Sequence, residues 1–185
     1  MDLGHPLDLG VSVGGADAVA SARAAEDLGL DLVVVGDDDL DAWTVLGWVA
    51  GGTERVAVAA RGLTLDGRPP AVLARAVASL DHLSGGRVAL GLAPDPDLPE
   101  AVAVLRGMWA AGEPGPLVHD GPRYRVPGAQ RGPAPAHEVA VWSGPAVGSG
   151  AEAAQVRALA ARDADGWWCD AADVSAAGAL REVVA

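Results

Sequence analysis

Two stretches of this chain carry groups that can do chemistry. Asp37, Asp38 and Asp39, with Asp41 after Leu40, put carboxylates directly behind a strand-like apolar run. Such carboxylates can move a proton to or from a substrate, or they can form a solvated turn in which one caps the next helix. The second stretch is Ser143-Gly144-Pro145 with Val147-Gly148-Ser149-Gly150. Free amides ahead of a helix favour an anion such as a phosphate, although a loop ending in a Ser or Gly cap would use the same residues. The spacing is not the G-x-G-x-x-G of a dinucleotide site. Trp142 and Trp168 fall near strand ends, where they can flank a flat ring, whereas Trp43 and Trp48 share one short helix and read as core or interface filler.

Other chemistries are excluded by what the sequence lacks. All 13 basic residues are Arg, so Schiff-base and Walker lysines are ruled out. One Cys, Cys169, cannot form an internal disulfide, and with four scattered His it gives no zinc framework. No G-x-S-x-G elbow supports hydrolysis. A formal charge of −12 disfavours nucleic acid and anionic membranes as partners. Met1-Asp2 opens no basic, apolar leader, and no long apolar run follows, so the expectation is a cytoplasmic protein. The absence of Lys, Ile, Phe and Asn suggests a GC-rich bacterial gene.

The elements that must position these groups alternate. Leu7–Val13 reads as a strand and Ala16–Leu28 as a helix closed by Gly29, followed by a buried strand at Asp31–Val35 and a helix at Ala42–Gly51. Arg55–Leu65, Pro70–Leu83, Arg87–Leu92 and Pro99–Ala111 continue as strand, helix, strand and helix. The Gly- and Pro-rich stretch 113–136 offers one hairpin, Leu117-Val118 against Tyr124–Val126. A fifth strand at Val139–Trp142, a helix at Ala151–Arg162, a sixth strand at Gly166–Cys169 and a helix at Ala176–Val184 complete the pattern. Such alternation implies parallel strands with right-handed crossovers in a single domain.

Within this pattern, Arg68-Pro69-Pro70 and Leu80-Asp81-His82-Leu83-Ser84-Gly85-Gly86-Arg87, running on to Leu90-Gly91, resemble the signature of luciferase-like monooxygenases: R-x-P opens a helix, LD-x-LS-x-GR ends it, and LG closes the fourth strand. Ala25–Asp31, Thr53–Val56 and Ala160–Trp167 are similar to family segments in the same order. The resemblance implies an α/β, TIM-barrel-like fold. At 185 residues, against roughly 250 for a full barrel, it would be incomplete or noncanonical, with about six main parallel strands. It also implies FMN or a deazaflavin at the C-terminal strand ends, serving flavin-dependent oxygenation or hydride transfer on a small organic substrate. The ring would rest near Ala59, Ala60 and Gly91, with Trp168 beside it, and the phosphate near Ser143, Gly144, Gly148, Ser149 and Gly150.

The sequence departs from the family where an acidic residue is usually followed by His. Asp37 is followed by Asp38, leaving these two as replacement proton carriers. The turn after the fourth strand is Ala93-Pro94-Asp95-Pro96-Asp97, in which prolines remove amide donors and aspartates repel an anion. The alternative reading is therefore a noncatalytic barrel descendant that binds no cofactor and serves as a binding or partner subunit. Strands missing from a full barrel leave an open edge. Either a homodimer or closure by a noncanonical segment such as the 117–126 hairpin would cover it.

Overall fold

Apolar β-branched runs alternating with Ala-rich helical stretches fold into β1 (Gly10–Val13), α1 (Ala18–Asp27), β2 (Leu32–Gly36), α2 (Ala42–Gly52), β3 (Ala57–Arg61), α3 (Pro70–Ser84), β4 (Val88–Leu92) and α4 (Leu98–Trp109). Beyond these lie β5 (Leu117–Asp120), β6 (Arg125–Ala129), β7 (Val141–Ser143) and β8 (Gly166–Trp167). The computed structural model describes residues 9–36, 40–144 and 164–167. The helices expected at 151–162 and 176–184 lie outside them.

Helix boundaries follow local chemistry. Asp41 caps α2 by accepting the Thr44 amide at 2.8 Å, which makes it the cap anticipated in the acidic turn. Pro70 lies in the first turn of α3, and Gly85, left-handed at φ 75°, closes that helix.

The main sheet has the order β1-β2-β3-β4-β7-β8, with every neighbouring pair parallel. It is the TIM-barrel-like α/β arrangement with six parallel strands, and it is open between β1 and β8 among the described residues. Its two faces differ. Val33, Val35, Val58, Ala60, Val88, Leu90, Leu92 and Val141 belong to one buried cluster with Ala22, Leu46, Val49, Leu73, Val77, Val102 and Leu105 of the helices. Full burial of a Val or Leu side chain contributes about 1.5–3 kcal/mol, so this face holds the fold together. The opposite face, which lines the lumen in a closed barrel, carries the register row Ser12, Val34, Ala59 and Ala89.

Two expectations are corrected. The third strand is shorter than 55–65, because Gly62 at φ 65° breaks it after Arg61. Leu63 then pairs with Leu92, although Ala59 pairs with Ala89, so the register slips by one residue there. The hairpin forms, with Leu117 opposite Ala129 and Asp120 opposite Arg125, but as a separate sheet that does not close the main one. It is held to α4 by Glu100, which accepts the amides of Arg123 at 3.1 Å and Tyr124 at 2.7 Å. Among the described residues no helix is long and apolar enough to cross a membrane.

Candidate active site

The motif residues gather at the N-terminal ends of the strands. Glu26 accepts the amides of Glu54, Arg55 and Val56, the last two at 2.6 and 2.9 Å, and so ties α1 to the start of β3. Its carboxyl is held below the ordinary 4.5, first by the Val56 amide and then by that of Arg55, against the upward pull of burial. Arg87 donates to the carbonyls of Ala50 (2.9 Å), Thr53 (3.1 Å), Val56 (2.7 Å) and Ser84 (2.7 Å), pinning the turn between α2 and β3. Burial lowers its pKa, opposed by the nearby Glu26 charge. Asp81, fully buried, accepts the amides of Val88 and His137 and lies 2.9 Å from His137 Nδ1. Asp165 accepts the Val141 amide at 2.9 Å and pairs with Arg106 at 2.6 Å. These contacts are scaffold: each charged group satisfies backbone that would otherwise be orphaned between elements.

The C-terminal ends are built differently. Asp41 pairs with Arg68 at 2.6 Å, which, with its bonds from Thr44, holds the Asp41 carboxyl below its usual range. In the turn after β4, the Asp97 amide donates to Asp95 at 2.7 Å, and Asp97 pairs with Arg123 of the hairpin at 3.3 Å. Among the described residues, two side-chain polar atoms are buried with no hydrogen-bond partner, Arg61 Nε and Ser143 Oγ, and both belong to the last residues of their strands.

The residues expected to form the site are placed as follows. Ala59 and Ala60 are both fully buried but on opposite faces, because strand side chains alternate; Ala59 is on the lumen face and Ala60 packs with the helices. Gly91 is buried opposite Trp142, on the lumen face. Ser143 is fully buried in register with Leu92, and Gly144 follows it. Asp37, Asp38, Gly148, Ser149, Gly150 and Trp168 lie outside the described residues. Of the tryptophans, Trp43 packs against the core, whereas Trp48 is 55% exposed and fills none.

Sequence reading placed Glu26 and Asp81 in family motifs without giving either a role, and it did not single out Arg61 or the contact of Asp81 with His137. The period-2 pattern of β3 could have flagged Arg61, which falls two residues after Ala59 and hence on the lumen face. The Asp81–His137 contact spans 56 residues and left no local signal. Two cavities lie toward the N-terminal strand ends. One, of about 330 Å³, is lined by Arg106, Trp109, His137 and Asp165. The other, of about 280 Å³, is lined by Leu32, Ala57, Ala89, His137 and Trp142.

Residues 4–97 match the family model described as luciferase-like monooxygenase. The chain belongs to this family. A putative coenzyme F420-dependent oxidoreductase of Mycobacterium tuberculosis is 33% identical over 149 residues, 69% of this chain and 42% of that protein. The pyrimidine monooxygenase RutA of Escherichia coli is 31% identical over 99 residues, 42% of this chain and 27% of that protein. The luciferase-like chain thus spans less than half the length of either curated relative. In fold it is similar to EDTA monooxygenase from Chelativorans sp. BNC1 (TM-score 0.72, 18% identity, 91% of this chain and 50% of that one). It is similar also to an F420-dependent secondary alcohol dehydrogenase in complex with an F420-acetone adduct (TM-score 0.71, 21% identity, 86% and 57%).

Proposed function

We propose that this luciferase-like chain is a flavin- or deazaflavin-dependent oxidoreductase of the monooxygenase or hydride-transfer type, acting on a small organic substrate. The observation that carries the reading is Ser143. Its hydroxyl is fully buried without a partner at the C-terminal end of β7, immediately before the Gly-rich stretch 144–150. A buried hydroxyl left unbonded costs about 1–3 kcal/mol, which binding of an acceptor would recover. An orphaned donor followed by glycines fits the phosphate of FMN or of a deazaflavin.

Ser143 and Gly144, with the Gly148, Ser149 and Gly150 amides, would hold that phosphate, and the small Ala59 and Gly91 leave room for a flat ring on the lumen face. The bound cofactor would supply hydride transfer or oxygen activation, which the polypeptide alone does not. Asp37 and Asp38 follow Gly36 at the end of β2 in sequence and are the proposed proton carriers. We also propose a homodimer, supported by Trp48, whose 55% exposure on α2 is large for an indole.

The second reading, a noncatalytic scaffold, is favoured by the Ala93–Asp97 turn, whose aspartates are committed to a local amide and to Arg123. Calorimetric titration with FMN and with a deazaflavin, oxidised and reduced, separates the two. Micromolar or tighter binding that weakens about tenfold in Ser143→Ala supports the oxidoreductase. No binding of either by the folded protein supports the scaffold.

A further inference from the structure

Arg61 is the last residue of β3, at the end of the sheet where α/β barrels place their ligands. It is in register with Gly36 of β2. On the other side the register with β4 slips between the Ala59–Ala89 and Leu63–Leu92 pairs, and Gly91, in register with Trp142, lies within that stretch. Two residues after Ala59, Arg61 falls on the lumen face, beside Gly36 of β2.

The surroundings of Arg61 differ from those of the other half-buried arginines. Arg68 is paired with Asp41, Arg87 is spread over backbone carbonyls, and Arg131 donates to Gly107 and Gly115. The Arg61 side chain makes no hydrogen bond or ion pair among the described residues, and its Nε is buried without a partner. Among the described residues no acid pairs with it, and a buried Nε–H donor is costly to leave unmet unless something else accepts from it.

We infer that Arg61 is the recognition residue for a small oxyanion, a carboxylate, sulfonate or phosphate, bound on the lumen face at the C-terminal end of β3. The planar guanidinium presents paired N–H donors that match two oxygens of such a group, so it confers geometric as well as charge selectivity. The inference deepens the proposed function, resting on its placement of the ligand at this end of the sheet, and makes the substrate or the cofactor the bearer of the anion. Ser143 belongs to the opposite, helix-facing register row, with Val141.

The test uses the full chain and the arginine Nε–H resonances, with the Arg61 signal assigned by its loss in Arg61→Gln. Acetate, methanesulfonate and inorganic phosphate are titrated separately, without flavin and with FMN present. A saturable shift of the Arg61 signal, with Arg87 unmoved, is expected for at least one of them. By calorimetry that anion should bind Arg61→Gln about tenfold or more weakly, with Arg61→Lys in between. Riboflavin and FMN distinguish the sources: a shift with FMN alone assigns the anion to the cofactor, and an acetate or methanesulfonate shift that survives saturating FMN assigns it to the substrate.

No saturable shift with any of the three oxyanions or FMN, or equal affinity in Arg61→Gln and wild type, overturns the inference. Should Arg61→Gln fail to fold, Arg61→Lys decides: unchanged affinity for the anion overturns the fork-specific contact. Normal FMN affinity with a silent Arg61 sinks this inference alone, and oxyanion binding at Arg61 without flavin binding sinks the flavin reading alone.

Discussion

At the N-terminal ends of the strands, Glu26, Asp81, Arg87 and Asp165 each bond two or more partners. At the C-terminal ends, Arg61 Nε and Ser143 Oγ are buried and bonded to nothing. Both ends belong to the same parallel sheet, so the strands themselves do not account for the difference. The first rim is satisfied internally and stabilises the fold; the second retains unmet donors, a cost that makes sense where a ligand completes the site.

Four substitutions sharpen or break this contrast. Arg87→Ala should be the most damaging, destabilising by about 3 kcal/mol or more in chemical denaturation, because it strips the donors from several turn carbonyls at once. A loss of only a few tenths would remove the claim that this rim carries the scaffold. Glu26→Gln should cost roughly 1–2 kcal/mol at neutral pH, since a charged acceptor of backbone amides becomes a neutral one. The folded carboxyl titrates below its ordinary 4.5, so its contribution is complete above that value and disappears as pH falls through the lowered folded pKa. Denaturation midpoints of wild type and Glu26→Gln should therefore converge in acid, and parallel curves would show the charge to be irrelevant.

Asp41→Ala, at the other rim, should cost about 1 kcal/mol as a lost helix cap, measured by thermal unfolding. Ser143→Ala should change stability least, by less than about 0.5 kcal/mol or with a slight gain, because its hydroxyl has no bond to lose. A large loss there would mean that Ser143 is structural after all, and the two rims would no longer differ.

The sequence reading followed the same divide. Strands, helices, the Gly29 and Gly85 ends and the 117–126 hairpin were legible because apolar periodicity and turn residues are local signals. The family motifs were legible too, and Glu26, Asp81, Arg87 and Asp165 within them tie backbone elements together, so recognising the family meant recognising the rim that holds the scaffold. Ala59 and Ala60 looked equivalent as small neighbours, and only strand alternation separates them. Arg61 escaped notice because its distinguishing property is a missing partner, which depends on every element around it. The role of the hairpin was misjudged because residues 117–129 encode pairing with each other but not where the pair docks; Glu100, far upstream, decides that.

The strand order bears also on how the chain assembles. From β1 through β4 each strand pairs with its immediate predecessor, so the sheet grows in the direction of synthesis and each step closes one strand-helix unit. The β4–β7 pairing, Leu90 with Val141, is different: it must wait for α4, the hairpin and the crossing segment. During that interval the β4 edge, with Val88, Leu90 and Leu92 beside it, is an unprotected template for a neighbouring chain. A nascent-chain arrest shortly before residue 141 would therefore yield the most aggregation-prone intermediate, and a slow refolding phase should track formation of that pairing.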